Sequence, residues 1–200
     1  YQHRGERGIK ALIIYPMNAL ATDQAKRIAE LIYGSDELRG NVTVGMYVGG
    51  QEHTPARTMS EHGVITDHET MLNNAPDILM TNYKMLDYLL VRPKDALLWQ
   101  DNEPETLKYI AVDELHTFDG AQGTDLACLL RRLKRRLGIY DGYLCCVGTS
   151  ATMGSKENNS NILNYAEEIF GEPFDKDAII TEDRLSAQEF FAGAEVTEFT

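Results

Sequence analysis

Cysteine is scarce in this chain. There are three, Cys128, Cys145 and Cys146, in 200 residues, and no two stand in a Cys-x-x-Cys spacing. That removes zinc ribbons and iron–sulfur sites and leaves reduced thiols, expected to be buried in a cytoplasmic protein. Long hydrophobic runs are missing too. No stretch reaches the 18 or so apolar residues that a membrane helix needs, and the opening YQHRGERGIK is polar and charged, unlike a signal peptide. Positive charge is in short supply: 19 Lys and Arg against 31 Asp and Glu, a net −12. This excludes a protein that coats nucleic acid through bulk charge. It leaves room for one that grips a strand with a few backbone amides and hydroxyls while the rest of its surface is acidic. No repeat and no low-complexity segment occurs. The chain does not open on Met, which is expected of a piece cut from something longer.

What is present is a rhythm of short apolar runs and longer amphipathic segments. KALIIY (residues 10–15), VTVGMYV (42–48), DILMT (77–81), KYIAVDE (108–114) and YLCCVGTS (143–150) read as strands covered on both faces. Between them lie predicted helices from Asn18, an expected N-cap, to Tyr33 with Gly34 as the stop. Further helices are predicted over residues 56–73, 84–91 and 120–137, the last with Leu126, Leu129, Leu130, Leu133 and Leu137 on one stripe, and over 158–170. Strand–helix alternation at this spacing predicts an α/β fold with a mostly parallel sheet, right-handed crossovers and helices on both faces. In such sheets chemistry collects at the carboxyl ends of the strands, and there stand Asn18, Gly49-Gly50, Thr81-Asn82, Asp113-Glu114 and Thr149-Ser150. From Gly171 the chain is acidic and poorly patterned, with a possible strand at Ala178–Glu182. Residues 1–170 therefore form the expected domain and 171–200 an extension or linker.

AVDELH (Ala111–His116) is an apolar run delivering two adjacent carboxylates. Such a pair suits metal-assisted phosphoryl chemistry: one carboxylate holds Mg²⁺ through its waters and the other orients or deprotonates the attacking water. Neighbouring side chains on a strand point to opposite faces, so both can serve one site only where the strand is ending. An acidic strand end facing solvent is the alternative for this motif alone. GTSATMG (Gly148–Gly154) supplies hydroxyls that can bridge a carboxylate pair to a neighbouring element, or simply make a turn. RRLKRR (Arg131–Arg136) reads as the solvated face and last turn of its helix rather than a nucleic-acid patch. His53, His62 and His68 have irregular spacing, and no metal is expected there.

The pairing of DELH with SAT about 35 residues later resembles motifs II and III of superfamily 2 helicases of the DEAD/DEAH group. YPMNALATDQ (residues 15–24) resembles motif Ia, Val48–Gly50 the glycine doublet after it, and ILMTNYKML (78–86) the Thr-containing motif before motif II. The resemblance covers residues 9–155, and the wording of YPMNALA and TNYKML is closer to the large Lhr-like helicases. It implies a RecA-like first motor domain, of the P-loop NTPase type, incomplete at its N-terminal end. It implies ATP and Mg²⁺ as cofactors, DNA or RNA held through the backbone, and a second RecA-like domain as partner. By this resemblance Asp113 coordinates the nucleotide's Mg²⁺ and Glu114 is the catalytic base. His116 links the nucleotide site to motif III or to the second motor domain, and Ser150 and Thr152 couple hydrolysis to strand movement. Pro16, Asn18, Gly49, Gly50, Thr81 and Asn82 line the track for the phosphate backbone. The departure is that no Gly-x-x-x-x-Gly-Lys-Ser/Thr loop occurs; it is expected before Tyr1, with the arginine-finger motifs after Thr200. Two other readings remain open: a nucleic-acid-dependent ATPase that does not unwind, as in a remodeller or a restriction or phage-defence motor, and a degenerate RecA-like scaffold.

Overall fold

The computed structural model describes residues 5–49, 54–151 and 159–180. Five strands alternate with helices: β1 (Ala11–Tyr15), α1 (Asn18–Tyr33), β2 (Val44–Tyr47), α2 (His68–Asn73), β3 (Ile78–Asn82), α3 (Tyr83–Val91), β4 (Tyr109–Val112), α4 (Gly120–Leu137), β5 (Cys145–Gly148) and α5 (Asn159–Phe170). The strands form one sheet in the order β2-β3-β1-β4-β5, and every pairing is parallel. The expected parallel sheet is thus observed, with all five carboxyl ends on one edge.

The two-residue period of a strand divides the core. Leu12, Ile14, Leu79, Ile110 and Val112 face one side and pack with the leucines of α3 and α4 and with Ile169 and Phe170 of α5. Tyr15, Val44, Met46, Val48 and Met80 face the other and meet Ala21, Ala25, Ala29 and Ile32 of α1. The small alanines let α1 lie close to the sheet. The leucine stripe of α4 is buried as its periodicity demanded: Leu126, Leu130 and Leu133 are at most 1% exposed, each contributing about 1.5–3 kcal/mol by leaving water.

Several expectations are corrected. Residues 56–73 are helical only over His68–Asn73. The β-branched run Val64-Ile65-Thr66 instead lies extended along the edge of β2, where Ile65 N–H donates to Val44 O at 2.9 Å and Met46 N–H to Ile65 O at 2.8 Å. Asn18 is not an N-cap; Met17 holds that position without a side-chain bond. A short 3₁₀ helix, Pro93–Trp99, follows α3 and was not anticipated. Ala178–Ile180 form no strand, and Ile180 is exposed; residues 181 and 182 lie outside the described residues. The cysteines are not buried: Cys128 and Cys145 are exposed and Cys146 half-buried. For the last two the reason is position, because β5 is the edge strand of the sheet and its Val147 is 50% exposed.

RRLKRR is only partly a solvated face. Lys134 is buried, its ammonium bonded to Glu172 Oε1 at 2.5 Å, Asp141 Oδ1 at 3.0 Å and Gly171 O at 3.1 Å. Arg131 bonds Glu168 O, Arg136 bonds Leu90 O, and Arg132 pairs with Asp87. The basic run ties α4 to its neighbours.

Candidate nucleotide and nucleic-acid site

β4 ends at Val112, so Asp113 and Glu114 emerge just past the strand. Asp113 N–H still donates to Ile14 O at 2.9 Å, keeping the residue in line with β1. Glu114 then turns the chain. Its φ is 51°, the one positive φ at a non-glycine position among the described residues. A left-handed L-residue costs about 1–2 kcal/mol, and the surroundings hold it there. Glu114 N–H donates to Thr149 Oγ1 at 3.0 Å and Leu115 N–H to Thr149 O at 2.8 Å. Glu114 O accepts from Thr117 N–H and from Thr117 Oγ1, both at 2.8 Å. The turn ends the strand alternation at Glu114.

Thr149 Oγ1 also donates to Asp113 Oδ1 at 2.5 Å. The other Asp113 oxygen accepts no hydrogen bond from the described residues. Beside it, the Tyr15 hydroxyl is pushed up to about 12 by burial and by the Asp113 charge, so it stays a neutral phenol at any ordinary pH. His116 Nδ1 lies 3.3 Å from Glu114 Oε2 and 3.1 Å from Ser150 Oγ. DELH and the start of SAT are therefore in direct contact. Gly148 permits this approach: a Cβ there would lie 2.6 Å from Leu115 Cδ2.

A second network joins the neighbouring strand ends. Asn18 Nδ2 donates to Gly49 O at 2.8 Å, and Asn82 Nδ2 donates to Asn18 Oδ1. Asn82 Oδ1 caps α3 by accepting from Met85 N–H at 2.7 Å. Asn18 fails as a cap because its amide is spent across strands. Pro16, Asn18, Gly49 and Asn82 line an open cleft of about 730 Å³ that also reaches Glu114 and His116. Thr81 differs from the expectation. It is fully buried and its hydroxyl donates to Tyr47 O at 2.7 Å, so it binds β3 to β2 and does not reach the cleft surface. Gly50, Thr152 and His53 lie outside the described residues. His62 sits 3.2 Å from Glu30, and His68 stacks on Tyr47 with ring centroids 3.7 Å apart.

The residue that sequence reasoning undervalued is Thr149. In the sequence it is only a strand-end hydroxyl, because nothing there gives the β4–β5 register of Val112 opposite Gly148, which brings Thr149 level with Asp113.

The family model for DEAD/DEAH box helicases matches residues 2–160. The chain belongs to that family. Among relatives of this helicase chain, the Druantia protein DruE of Escherichia coli is 36% identical over 115 residues, 54% of this chain and 6% of DruE. The uncharacterized ATP-dependent helicase YprA of Bacillus subtilis is 31% identical over 166 residues, 82% of this chain and 19% of YprA. Among solved structures, the DUF1998 helicase MrfA bound to DNA and AMPPNP is 29% identical, with a TM-score of 0.56 over 82% of this chain and 20% of MrfA. The helicase sheet described above is thus that of a RecA-like first domain, and the chain spans about a fifth or less of the length of these relatives. No helix among its described residues is long and apolar enough to cross a membrane.

Proposed function

We propose that this chain is the later part of the first motor domain of an ATP-driven helicase or translocase on DNA or RNA. The observation that carries the reading is the carboxylate pair Asp113–Glu114, fixed at a strand end and joined through His116 to Ser150. The donor set fits Mg²⁺: a hard carboxylate oxygen on Asp113 that accepts no hydrogen bond from the described residues. Bound with the nucleotide, the ion would supply charge neutralisation at the phosphates. Glu114 would take the proton of the attacking water. His116, Ser150 and Thr152 would carry the change in that site toward the second motor domain. The binding of DNA and AMPPNP by MrfA supports this reading.

Pro16, Asn18, Gly49, Gly50 and Asn82 would line the path of the phosphate backbone. Glycine backbone and amide side chains suit sequence-independent contacts, and they offset the repulsion expected from a net charge of −12. The phosphate-binding loop must come from residues other than these. Its strand and helix would cover the β4–β5 face on which Tyr109 is 53% and Val147 50% exposed.

The test is nucleic-acid-stimulated ATP hydrolysis by the full-length protein. Glu114→Gln is expected to leave nucleotide binding nearly intact and to lower turnover about 10²-fold or more, the scale of a lost general base. An unchanged rate would refute the assignment.

A further inference from the structure

We propose that Thr149 is a positioning residue for hydrolysis: a single hydroxyl that orients the metal-binding carboxylate of Asp113 and holds Glu114 in the left-handed turn that aims its side chain. The inference rests on the reading of Asp113–Glu114 as the nucleotide site.

The directions of the hydrogen bonds are fixed by chemistry. A threonine hydroxyl has one proton to give and lone pairs to accept with. The Glu114 backbone N–H can only donate, so at 3.0 Å it takes an acceptor lone pair of Thr149 Oγ1. A carboxylate can only accept, so the Thr149 proton goes to Asp113 Oδ1 at 2.5 Å. Both ends of the hydroxyl are thereby committed, and each is charge-assisted or strain-relieving. The bond to Asp113 fixes the plane of that carboxylate and leaves the second oxygen for a cation or its water. The bond from Glu114 N–H, with the 2.8 Å bond from Leu115 N–H to Thr149 O, pins a backbone conformation that a glutamate disfavours. Thr149 is itself anchored by N–H donation to Val112 O at 3.0 Å, so the hydroxyl sits on the rigid end of the sheet. Movement of the turn after β5 would therefore reach both carboxylates through one atom.

The experiment compares Thr149→Val, which keeps the shape and removes the hydroxyl, with Thr149→Ser, which keeps the hydroxyl. Both are made in the full-length protein beside wild type and Glu114→Gln. Turnover of ATP is measured against Mg²⁺ concentration with nucleic acid saturating, and thermal unfolding is recorded for each. The expected result for Thr149→Val is a fall in kcat of about tenfold, the scale of one lost charge-assisted hydrogen bond. Its half-saturating Mg²⁺ should rise several-fold while nucleic-acid affinity is unchanged, and Thr149→Ser should stay within about twofold of wild type. Should Thr149→Val fail to fold, Thr149→Ala against Thr149→Ser carries the same comparison. A Thr149→Val enzyme with wild-type kcat and wild-type Mg²⁺ dependence overturns the inference. So does a loss that Thr149→Ser shares and that follows unfolding temperature rather than Mg²⁺. Wild-type hydrolysis that Glu114→Gln abolishes and Thr149→Val leaves untouched sinks the inference alone. Wild-type protein without hydrolysis sinks the reading of the site, and the inference with it.

Discussion

Asp113 and Glu114 are adjacent in sequence but are held by different forces. Asp113 continues the ladder of β4 through its bond to Ile14 O, whereas Glu114 sits in a backbone well that its own side chain disfavours. Substitutions should separate the two. Asp113→Ala is expected to weaken Mg-nucleotide binding in the full-length protein, raising the Mg²⁺ and ATP needed for half-maximal rate, which a titration of either would detect. Glu114→Gly should remove hydrolysis yet leave stability unchanged or raised by up to about 1 kcal/mol, because relief of left-handed strain exceeds the added freedom of the unfolded glycine. Urea unfolding midpoints decide it: a clear loss of stability would mean that Glu114 is not strained.

At the scale of elements, two polar devices set how helices meet the sheet. α2 begins at Asp67, whose carboxylate accepts from Thr70 N–H at 2.9 Å and from Thr70 Oγ1 at 2.6 Å. These bonds, the hydroxyl's first, hold the Asp67 carboxyl below its ordinary 3.8. A depressed folded-state value means that the cap contributes stability above about pH 4, lost as the pH falls through the folded value. The protection of amides in His68–Asn73, exchange being referred to the intrinsic rate at each pH, should fall on acidification over that range, and Asp67→Asn should blunt the change. The second device is the Lys134 ammonium between Glu172 and Asp141. Burial lowers the Lys134 value, but the hydrogen bonds and charges of Glu172 and Asp141 outweigh it, and the net shift is upward. The stability it adds is present below the ordinary lysine value and lost as pH rises through the raised one. Lys134→Met strands the buried Glu172 carboxylate and is expected to cost about 3–5 kcal/mol, with part recovered in the double variant Lys134→Met, Glu172→Gln. Denaturant unfolding of wild type, Lys134→Met, Glu172→Gln and the double variant measures the coupling.

At the scale of the whole molecule, residues 1–200 hold the Asp113–Glu114 pair and one stretch of the proposed track. Phosphoryl transfer depends on several donors acting together. The chain by itself is therefore expected to hydrolyse no ATP and to bind Mg-ATP and single-stranded oligonucleotide weakly. Isothermal titration and phosphate release test this; micromolar ATP affinity, or turnover that Glu114→Gln abolishes, would mean that these residues carry a whole site. Tyr109 and Val147 are half-exposed on one face of β4–β5, the face on which the proposed phosphate-loop strand and helix would lie.

The amino-acid sequence determined much of this by itself. Periodicity located all five strands, though the runs at residues 42–48, 108–114 and 143–150 overshoot strands of four residues, and it matched α4 residue for residue, since buried runs and leucine stripes are local records of burial. Strand-end logic set Asp113, Glu114, Asn18, Asn82 and Ser150 at one edge, because parallel sheets direct their loops there; His116 entered only through the family resemblance. Tertiary structure alone decided the rest. Whether Asn18 caps its helix or bridges to Gly49 depends on a strand 31 residues away. Thr81 is buried because β2 lies beside β3. The edge position of β5 leaves Cys145 exposed, although its apolar run reads as buried. Lys134 is enclosed because Glu172, 38 residues later, returns to meet it. Thr149 matters because the β4–β5 register sets it level with Asp113. Register and strand order are properties of pairing between distant segments, and no local pattern of residues encodes them.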